Sequence, residues 1–497
     1  MSSASETYAT IDLGSNSFHM IVARTEENQV HLIDKLKDMV RLAGGLDEEQ
    51  RLDEETTARA LDCLQRFGQR IKDIPPTNIR AVGTNTLRQA HNSHDFLKQA
   101  NRALGHRIEI ISGREEARLI FLGVAHTIFN ESERRLVVDI GGGSTELAIG
   151  KGFHAGMTDS LYIGCVSMSH RFFANGNIKA KKMRKAILTA RQELEALEAI
   201  YQRVGWDNAI GTSGTILTIH NIITSQGWSE SGITKEGLEK LRESLVSAGA
   251  VSKLKLEGLP AERAPVFPGG VAILSAVFDA LDLEVMNVSD GALREGLLHD
   301  LIGRLHNRDV RDTTIENITK RYNIDNEQAL RVENTVTEFL EQLRQPWQLD
   351  TENDLKILRW AARLHEIGLT IAHSQYHKHG AYLLRHSDLP GFSREEQAVL
   401  AFLVRCHRRK FDREEIDLLP SESKENILRL CIILRLSIVL NRGRAYSALP
   451  SFTTRVDGKN ITLEFPAGWL AEHPLTEADL DTEANYLDAI GITLTCH

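Results

Sequence analysis

The strongest constraint on this chain is a unit that it uses twice. Residues 8–12 form a β-type run that breaks at Gly14, Ser15, Asn16 and Ser17 and resumes over 18–23. The pattern returns as a run over 136–140, a turn of Gly141, Gly142, Gly143, Ser144 and Thr145, and a second run over 146–149. In each copy an aspartate sits near the end of the first strand, and a turn rich in glycine and hydroxyl groups leads into the next, which predicts a hairpin. Two such hairpins, spaced by roughly one small α/β domain, predict a duplicated architecture with one anion-facing loop in each half.

The chemistry of those loops follows from their residue types. Glycine has no Cβ and lets backbone N–H groups come close to phosphate. One aspartate before a glycine is a common turn initiator. The matched pair Asp12 and Asp139 instead suits carboxylates that hold Mg²⁺ beside bound phosphates. Glu146, which opens the strand after the second loop, is grouped with them as a metal-side carboxylate. A third loop, with Ser213 and Gly214, follows the short run 209–210, and a fourth, 289–292, follows 285–288. Both lie where strands hand over to helices, and helix N-termini attract phosphate.

A helix start is expected at Ser112, where Ser112 and Glu115 have the spacing of a capping box and leave Glu116 as the candidate general base. The plainer reading of Glu116 is a first-turn glutamate complementing the helix dipole. Arg88 follows the run 79–82 and offers a planar donor fork to phosphate oxygens, or else a surface ion pair.

With 497 residues the chain exceeds one ordinary core, so several domains are expected. Its net charge of −9 argues against a nucleic-acid partner and requires any anion to be met by a local basic surface. Five scattered cysteines without a CxxC pair fit a reducing compartment. The start lacks the features of a signal peptide, and the greasiest stretch, 430–440, is too short to cross a bilayer. A cytoplasmic protein is expected, with peripheral attachment at the inner face of the membrane allowed.

Past about residue 308 the glycine loops stop and helical periodicity takes over, as at 326–344 and 354–367. A hairpin signal around Asp457 and Gly458 adds a small β element. Arg405, His407, Arg408, Arg409 and Lys410, with Lys378, His379 and Arg385 in the same region, form a basic cluster that suits a long polyanion or a solvated helix end. His365 and Glu366 lack the HExxH spacing, because position 369 is leucine, so a structural role is expected for the nearby histidines.

Taken together, IDLGSNSFHM, GTNTLRQA, SGREEARLIF, VVDIGGGSTEL, GTSGT and SDGALREG resemble the exopolyphosphatase and guanosine pentaphosphate phosphohydrolase family, and LHEIGL and HSDLPGF extend the resemblance into the second half. The resemblance implies an α/β fold of duplicated actin-like lobes of the acetate and sugar kinase/heat-shock/actin class, at 1–128 and 129–307. An α-rich domain related to metal-dependent HD phosphohydrolases would follow at 308–497. It further implies a homodimer, Mg²⁺-dependent release of orthophosphate, Glu116 as the catalytic glutamate and Asp139 as a metal-associated aspartate. The loops at 12–17 and 141–145 would take phosphates, with Arg88 beside them. Where active HD enzymes carry His-Asp this chain has His365-Glu366, so a second catalytic centre is not expected, and the basic cluster is assigned to a polymer path.

GTNTLRQA, RLIFLGVAHT and VSDGALREG look closer to the exopolyphosphatase branch, so inorganic polyphosphate is the expected substrate. Guanosine pentaphosphate at the same site is the alternative. A sugar kinase, an actin-like ATPase scaffold and a binding-only sensor are the remaining readings.

Overall fold

The computed structural model describes residues 6–26, 29–128, 132–306, 309–349, 352–419, 423–444 and 449–497. Two compact units divide the chain, Met1–Val310 and Arg311–His497. The expected boundaries at 128/129 and 307/308 fall at stretches outside the described residues.

The first unit contains two sheets built to one plan. In the first, β1 (Glu6–Leu13), β2 (Phe18–Glu26), β3 (Gln29–Asp38), β4 (Ile79–Gly83) and β5 (Ile108–Ile110) lie in the order β3-β2-β1-β4-β5. In the second, β6 (Arg134–Ile140), β7 (Thr145–Lys151), β8 (His154–Leu161), β9 (Asn208–Thr212), β10 (Ile233–Thr234) and β11 (Val285–Val288) lie in the order β10-β11-β9-β6-β7-β8. Read from the β8 edge, an antiparallel meander again passes into parallel strands, and β10 is the one addition. This repeated order is the duplicated actin-like α/β fold.

Period-two alternation explains why β1 and β2 sit at the centre. Ala9, Ile11, Leu13, Phe18, Met20 and Val22 face the helix Glu54–Ile71 in one core, while Tyr8, Ile21 and Ala23 face Leu298 and Leu301 in another. The two halves exchange helices. The helix Gly113–Thr127, which follows the first sheet, packs on β6, β7 and β8, and the helix Leu293–Leu305, which follows the second, packs on β1, β2 and β4. These helices cross where Gly123 faces the Ala292 carbonyl and Gly296 faces the Leu119 carbonyl, and a side chain at either point would collide with backbone. Asp300, on the second helix, is buried and is clasped by Arg80 at 2.6 Å, Arg118 at 2.6 Å and Arg304 at 2.8 Å.

The second unit is mostly helical. The helices Asn326–Leu343, Glu352–Leu364, Arg394–Cys406 and Lys424–Leu440 share one core with a small sheet of β12 (Thr453–Asp457), β13 (Asn460–Glu464) and β14 (Thr493–Cys496). The apolar stretch 430–440 is the inner part of Lys424–Leu440 and lines that core. Among the described residues no helix is long and apolar enough to cross a membrane.

Candidate functional site

The hairpin registers fix what stands opposite each of the two aspartates. Asp12 pairs with His19 across the first turn and Asp139 with Glu146 across the second. The two turns face each other at van der Waals range: a Cβ on Gly142 would stand 3.1 Å from Ser15 Cβ, and one on Gly143 would stand 2.7 Å from Asn85 Oδ1. Only glycine leaves room there. Behind the second loop, the carbonyls of Gly141 and Gly142 accept N–H groups from Cys165 and Val166 at the start of the helix Cys165–Phe173.

Glu116 comes from the first turn of the helix Gly113–Thr127 and is buried. Ser112 accepts the Glu115 N–H at 3.1 Å, whereas the Glu115 carboxylate is taken by two nitrogens of Arg118, both at 2.8 Å. The expected capping box is therefore formed on the Ser112 side, and an arginine one turn on takes the Glu115 side chain. Nor is Glu116 unattached: Arg88 Nη1 donates to its Oε2 at 2.7 Å and to the Ile111 carbonyl at 3.1 Å. Arg88 is thus an ion pair within the cleft, and the surface-pair reading of it falls.

The carboxylates crowd one another. Burial, then Glu116, raise the Asp12 carboxyl to about 8 against the opposing pull of Arg294. The same two causes raise Asp139 to about 7, again against Arg294. Burial, Glu116 and Asp139 hold Glu146 well above the usual carboxylate range, and Ser160 Oγ donates to it at 2.8 Å. Arg88 and Arg294 offset only part of the negative charge that this group of acids carries when ionised.

Orphaned polar atoms mark the same place. Among the described residues, Asp12 Oδ1, Asn85 Nδ2, Thr86 Oγ1, Arg88 Nη2 and Arg294 Nε are buried without a hydrogen-bond partner. Buried polar groups are normally satisfied, so an unmet acceptor beside unmet donors fits a cation and an anion together. No cluster of three or more metal-ligating side chains closes on a point among the described residues. Mg²⁺ binds through one or two carboxylates and completes its shell with water and substrate phosphate, so Asp12 and Asp139 fit that ion.

Several contributors went unassigned in the sequence. Arg294 Nη1 lies 2.7 Å from His19 Nδ1, and His19 Nε2 lies 2.7 Å from Ser17 Oγ. An arginine N–H can only donate, so Nδ1 is the acceptor and Nε2 carries the proton given to Ser17. The Ser17 hydroxyl is thereby free to donate to an anion. Arg294 lies within SDGALREG and His19 within IDLGSNSFHM, so motif membership was their one signal. Arg263 lies against Gly214 and gave no signal, arriving from a loop about fifty residues further on.

The remaining candidates are placed as follows. Ser213 has a left-handed backbone with φ 82° and donates its hydroxyl to the Ile140 carbonyl at 3.0 Å, which ties the third loop to the end of β6. Ser144 and Thr145 are buried, and the Thr145 hydroxyl is spent on the Ile163 carbonyl at 2.7 Å, so residue 145 supports its loop from behind. In the second unit Arg405, Arg408, Arg409 and Lys410 line one pocket. His407 is buried and donates Nδ1–H to the Val404 carbonyl at 2.7 Å, so it stands behind that basic wall and not in it.

The description of the Ppx/GppA phosphatase family matches residues 21–305, and that of domain III of the same phosphatases matches 310–484. The chain belongs to the Ppx/GppA phosphatase family. Among relatives of this phosphatase, a guanosine-5'-triphosphate,3'-diphosphate pyrophosphatase of Aeromonas hydrophila is 42% identical over 487 residues, covering 98% of each chain. One of the same description from Vibrio vulnificus is 42% identical over 488 residues, covering 98% of this chain and 97% of the relative. Among solved structures, an exopolyphosphatase from Cytophaga hutchinsonii is 25% identical with TM-score 0.54, covering 60% of this chain and 98% of that one. The Ppx-GppA enzyme of Aquifex aeolicus is 26% identical with TM-score 0.51, covering 59% and 99%.

Proposed function

We propose that this phosphatase removes the terminal 5′ phosphate of guanosine pentaphosphate. The observation that carries this reading is the 42% identity, along 98% of the chain, to proteins described as guanosine-5'-triphosphate,3'-diphosphate pyrophosphatases. It reverses the order expected from GTNTLRQA, RLIFLGVAHT and VSDGALREG, which favoured polyphosphate. Exopolyphosphate hydrolysis at the same site is kept as the second reading, supported by the Cytophaga hutchinsonii likeness over 60% of this chain.

In this reading the turns 14–17 and 141–144 receive the phosphate chain, and Ser17, whose oxygen accepts from His19 Nε2, donates its own hydroxyl hydrogen to one of the phosphate oxygens. Glu116 takes a proton from a water as that water's oxygen bonds to the terminal phosphorus. The bridging P–O bond opposite breaks, its electron pair stays on the bridging oxygen of the shortened nucleotide, and the attacked phosphorus leaves as orthophosphate. Arg88 fixes the Glu116 carboxylate and directs its second nitrogen, Nη2, towards the substrate. Asp12 and Asp139 would hold Mg²⁺, with Glu146 behind Asp139. When bound, that ion neutralises charge that develops on the phosphoryl oxygens.

Steady-state kinetics decide between the two substrates. The proposal expects kcat/KM for guanosine pentaphosphate to exceed that for the ends of long polyphosphate, and the opposite ratio would restore the polyphosphate reading.

A further inference from the structure

β8 is an edge strand, and two neighbouring residues on it hold the first turn of the helix that carries Glu116. Successive side chains of a strand point to opposite faces, so Asp159 and Ser160 act from different sides of the sheet. Ser160 stands opposite Glu146 in the register of β7 and β8, on the face that receives the helix Gly113–Thr127. Asp159 stands with Leu161 on the other face, where Tyr201 is fully buried.

Ser160 makes two contacts that differ in kind. Its Oγ donates to Glu146 Oε1 at 2.8 Å. Its Cβ and Oγ also lie so near Gly113, the first residue of the helix, that a Cβ there would stand 2.5 Å from each. No side chain fits in that gap, so glycine at 113 lets the helix begin flush against the strand. Three residues on, Glu116 meets Arg88, whose unpartnered Nη2 would lie 3.8 Å from the same Cβ.

Arg114, next along that turn, passes round the open edge of β8. Its Nη2 donates to Asp159 Oδ1 at 3.0 Å, and the other oxygen of that carboxylate accepts the Tyr201 hydroxyl at 3.0 Å. Burial, then Asp159, push the Tyr201 phenol up, which keeps it a donor. The turn is thus held against the strand from both faces, by close packing on one and by an ion pair on the other. Glu116 and Glu146 therefore take their positions from one strand.

We propose that Ser160 is a positioning residue for the phosphatase reaction. Its hydroxyl fixes the Glu146 carboxylate beside Asp139, and its seat on Gly113 fixes the start of the helix that brings Glu116 to the cleft. A group behind a metal-side carboxylate sets how that carboxylate is aimed, and loss of such a partner costs about 10- to 100-fold in metal affinity or activity. The inference rests on the reading of Glu116 as the base and of Asp12, Asp139 and Glu146 as the Mg²⁺ side. It is indifferent to whether the phosphate chain belongs to a nucleotide or to polyphosphate.

Two substitutions separate the contacts, since Ser160→Ala keeps the Cβ and loses the hydroxyl, while Gly113→Ala keeps the hydroxyl and crowds the seat. Mn²⁺, standing in for Mg²⁺, is titrated into the full chain without substrate, alongside steady-state kinetics at rising Mg²⁺. Ser160→Ala should weaken Mn²⁺ binding about 10- to 100-fold and lower kcat by an amount that added Mg²⁺ recovers. In a Glu146→Ala background the same substitution should change Mn²⁺ binding less than about twofold, because the group it acts through is gone. Gly113→Ala should bind Mn²⁺ as wild type does and lose at least tenfold in kcat at saturating Mg²⁺. Should Gly113→Ala fail to fold, Ser160→Gly, which empties the seat, should show that kcat loss beyond the effect of Ser160→Ala. Mn²⁺ binding unchanged by Ser160→Ala, or weakened as much in the Glu146→Ala background, overturns the proposal, and so does full kcat in whichever seat variant is used. Retained activity in Glu116→Gln would instead remove the base and leave the Mn²⁺ result standing, so the two failures are told apart.

Discussion

Glu116 is the residue on which the proposed chemistry turns, and its surroundings define what its loss should do. Arg88 would still donate to the amide oxygen in Glu116→Gln, so the geometry is kept while the base is removed. We expect turnover of guanosine pentaphosphate to fall by about 10²- to 10⁴-fold, the range for general-base catalysis, with substrate affinity retained. Phosphate release set against equilibrium binding checks this, and full activity in the variant would take Glu116 out of the reaction. Asp12, Glu116 and Asp139 were legible in the sequence because each sits at a strand end or helix start that its neighbours announce. Arg263 was not, since its position against Gly214 depends on a loop path that no local pattern encodes. The tie of Arg88 to Glu116 was also hidden, because it joins two helices distant in sequence and is a tertiary fact, whereas the Glu115–Arg118 pair has the i,i+3 spacing of one helix.

The two glycine-lined turns work as a pair, so crowding one should disturb the other. Gly143→Ala sets a methyl 2.7 Å from Asn85 Oδ1, on the partner side of the cleft, whereas Gly44→Ala meets nothing within 4 Å. Overpacking of this kind costs about 1–3 kcal/mol where the neighbours must shift. We expect Gly143→Ala to raise KM for the phosphate substrate at least tenfold and Gly44→Ala to leave it within twofold. Equal KM values in the two variants would mean that the turns do not share a ligand. Both hairpins, the strand Val285–Val288 and the hairpin at Asp457 could be read from runs of β-type residues and turn residues, and the helix start at Ser112 from its cap. The edge strands β3 and β8 and the closing strand β14 could not. Edge strands bury only part of their side chains and so blur the apolar alternation, as with the exposed Leu32 and Ile33 in β3.

For the first unit as a whole, the strongest polar tie is the cluster at Asp300. Burial pushes this carboxyl up, but Arg118, Arg304 and Arg80 overcome that and hold it far below the usual carboxylate range. A depressed carboxylate contributes stability above its unfolded-state value and loses it as pH falls through the folded one. Acid unfolding of wild type should therefore steepen below about pH 4, the ordinary aspartate value. Asp300→Asn, which strands buried guanidiniums, should cost about 3–5 kcal/mol at neutral pH and flatten that acid limb. Chemical denaturation across pH checks both, and an unchanged acid limb in the variant would remove Asp300 from the account. The duplicated plan was legible because its hairpins repeat. The exchange of helices between the halves was not, since amphipathic patterning says that a helix has a buried face and not which sheet receives it.

The place of that clasp has a mechanical meaning. Arg80 rides on β4 of the first sheet, Arg118 on the helix that crosses to the second, and Asp300 and Arg304 on the helix that crosses back. Prising these pieces apart would leave bare charges in a dry interior. The crossing therefore rivets the halves together: neither sheet can give up the helix it borrows from the other without stripping Asp300 of its guanidinium partners.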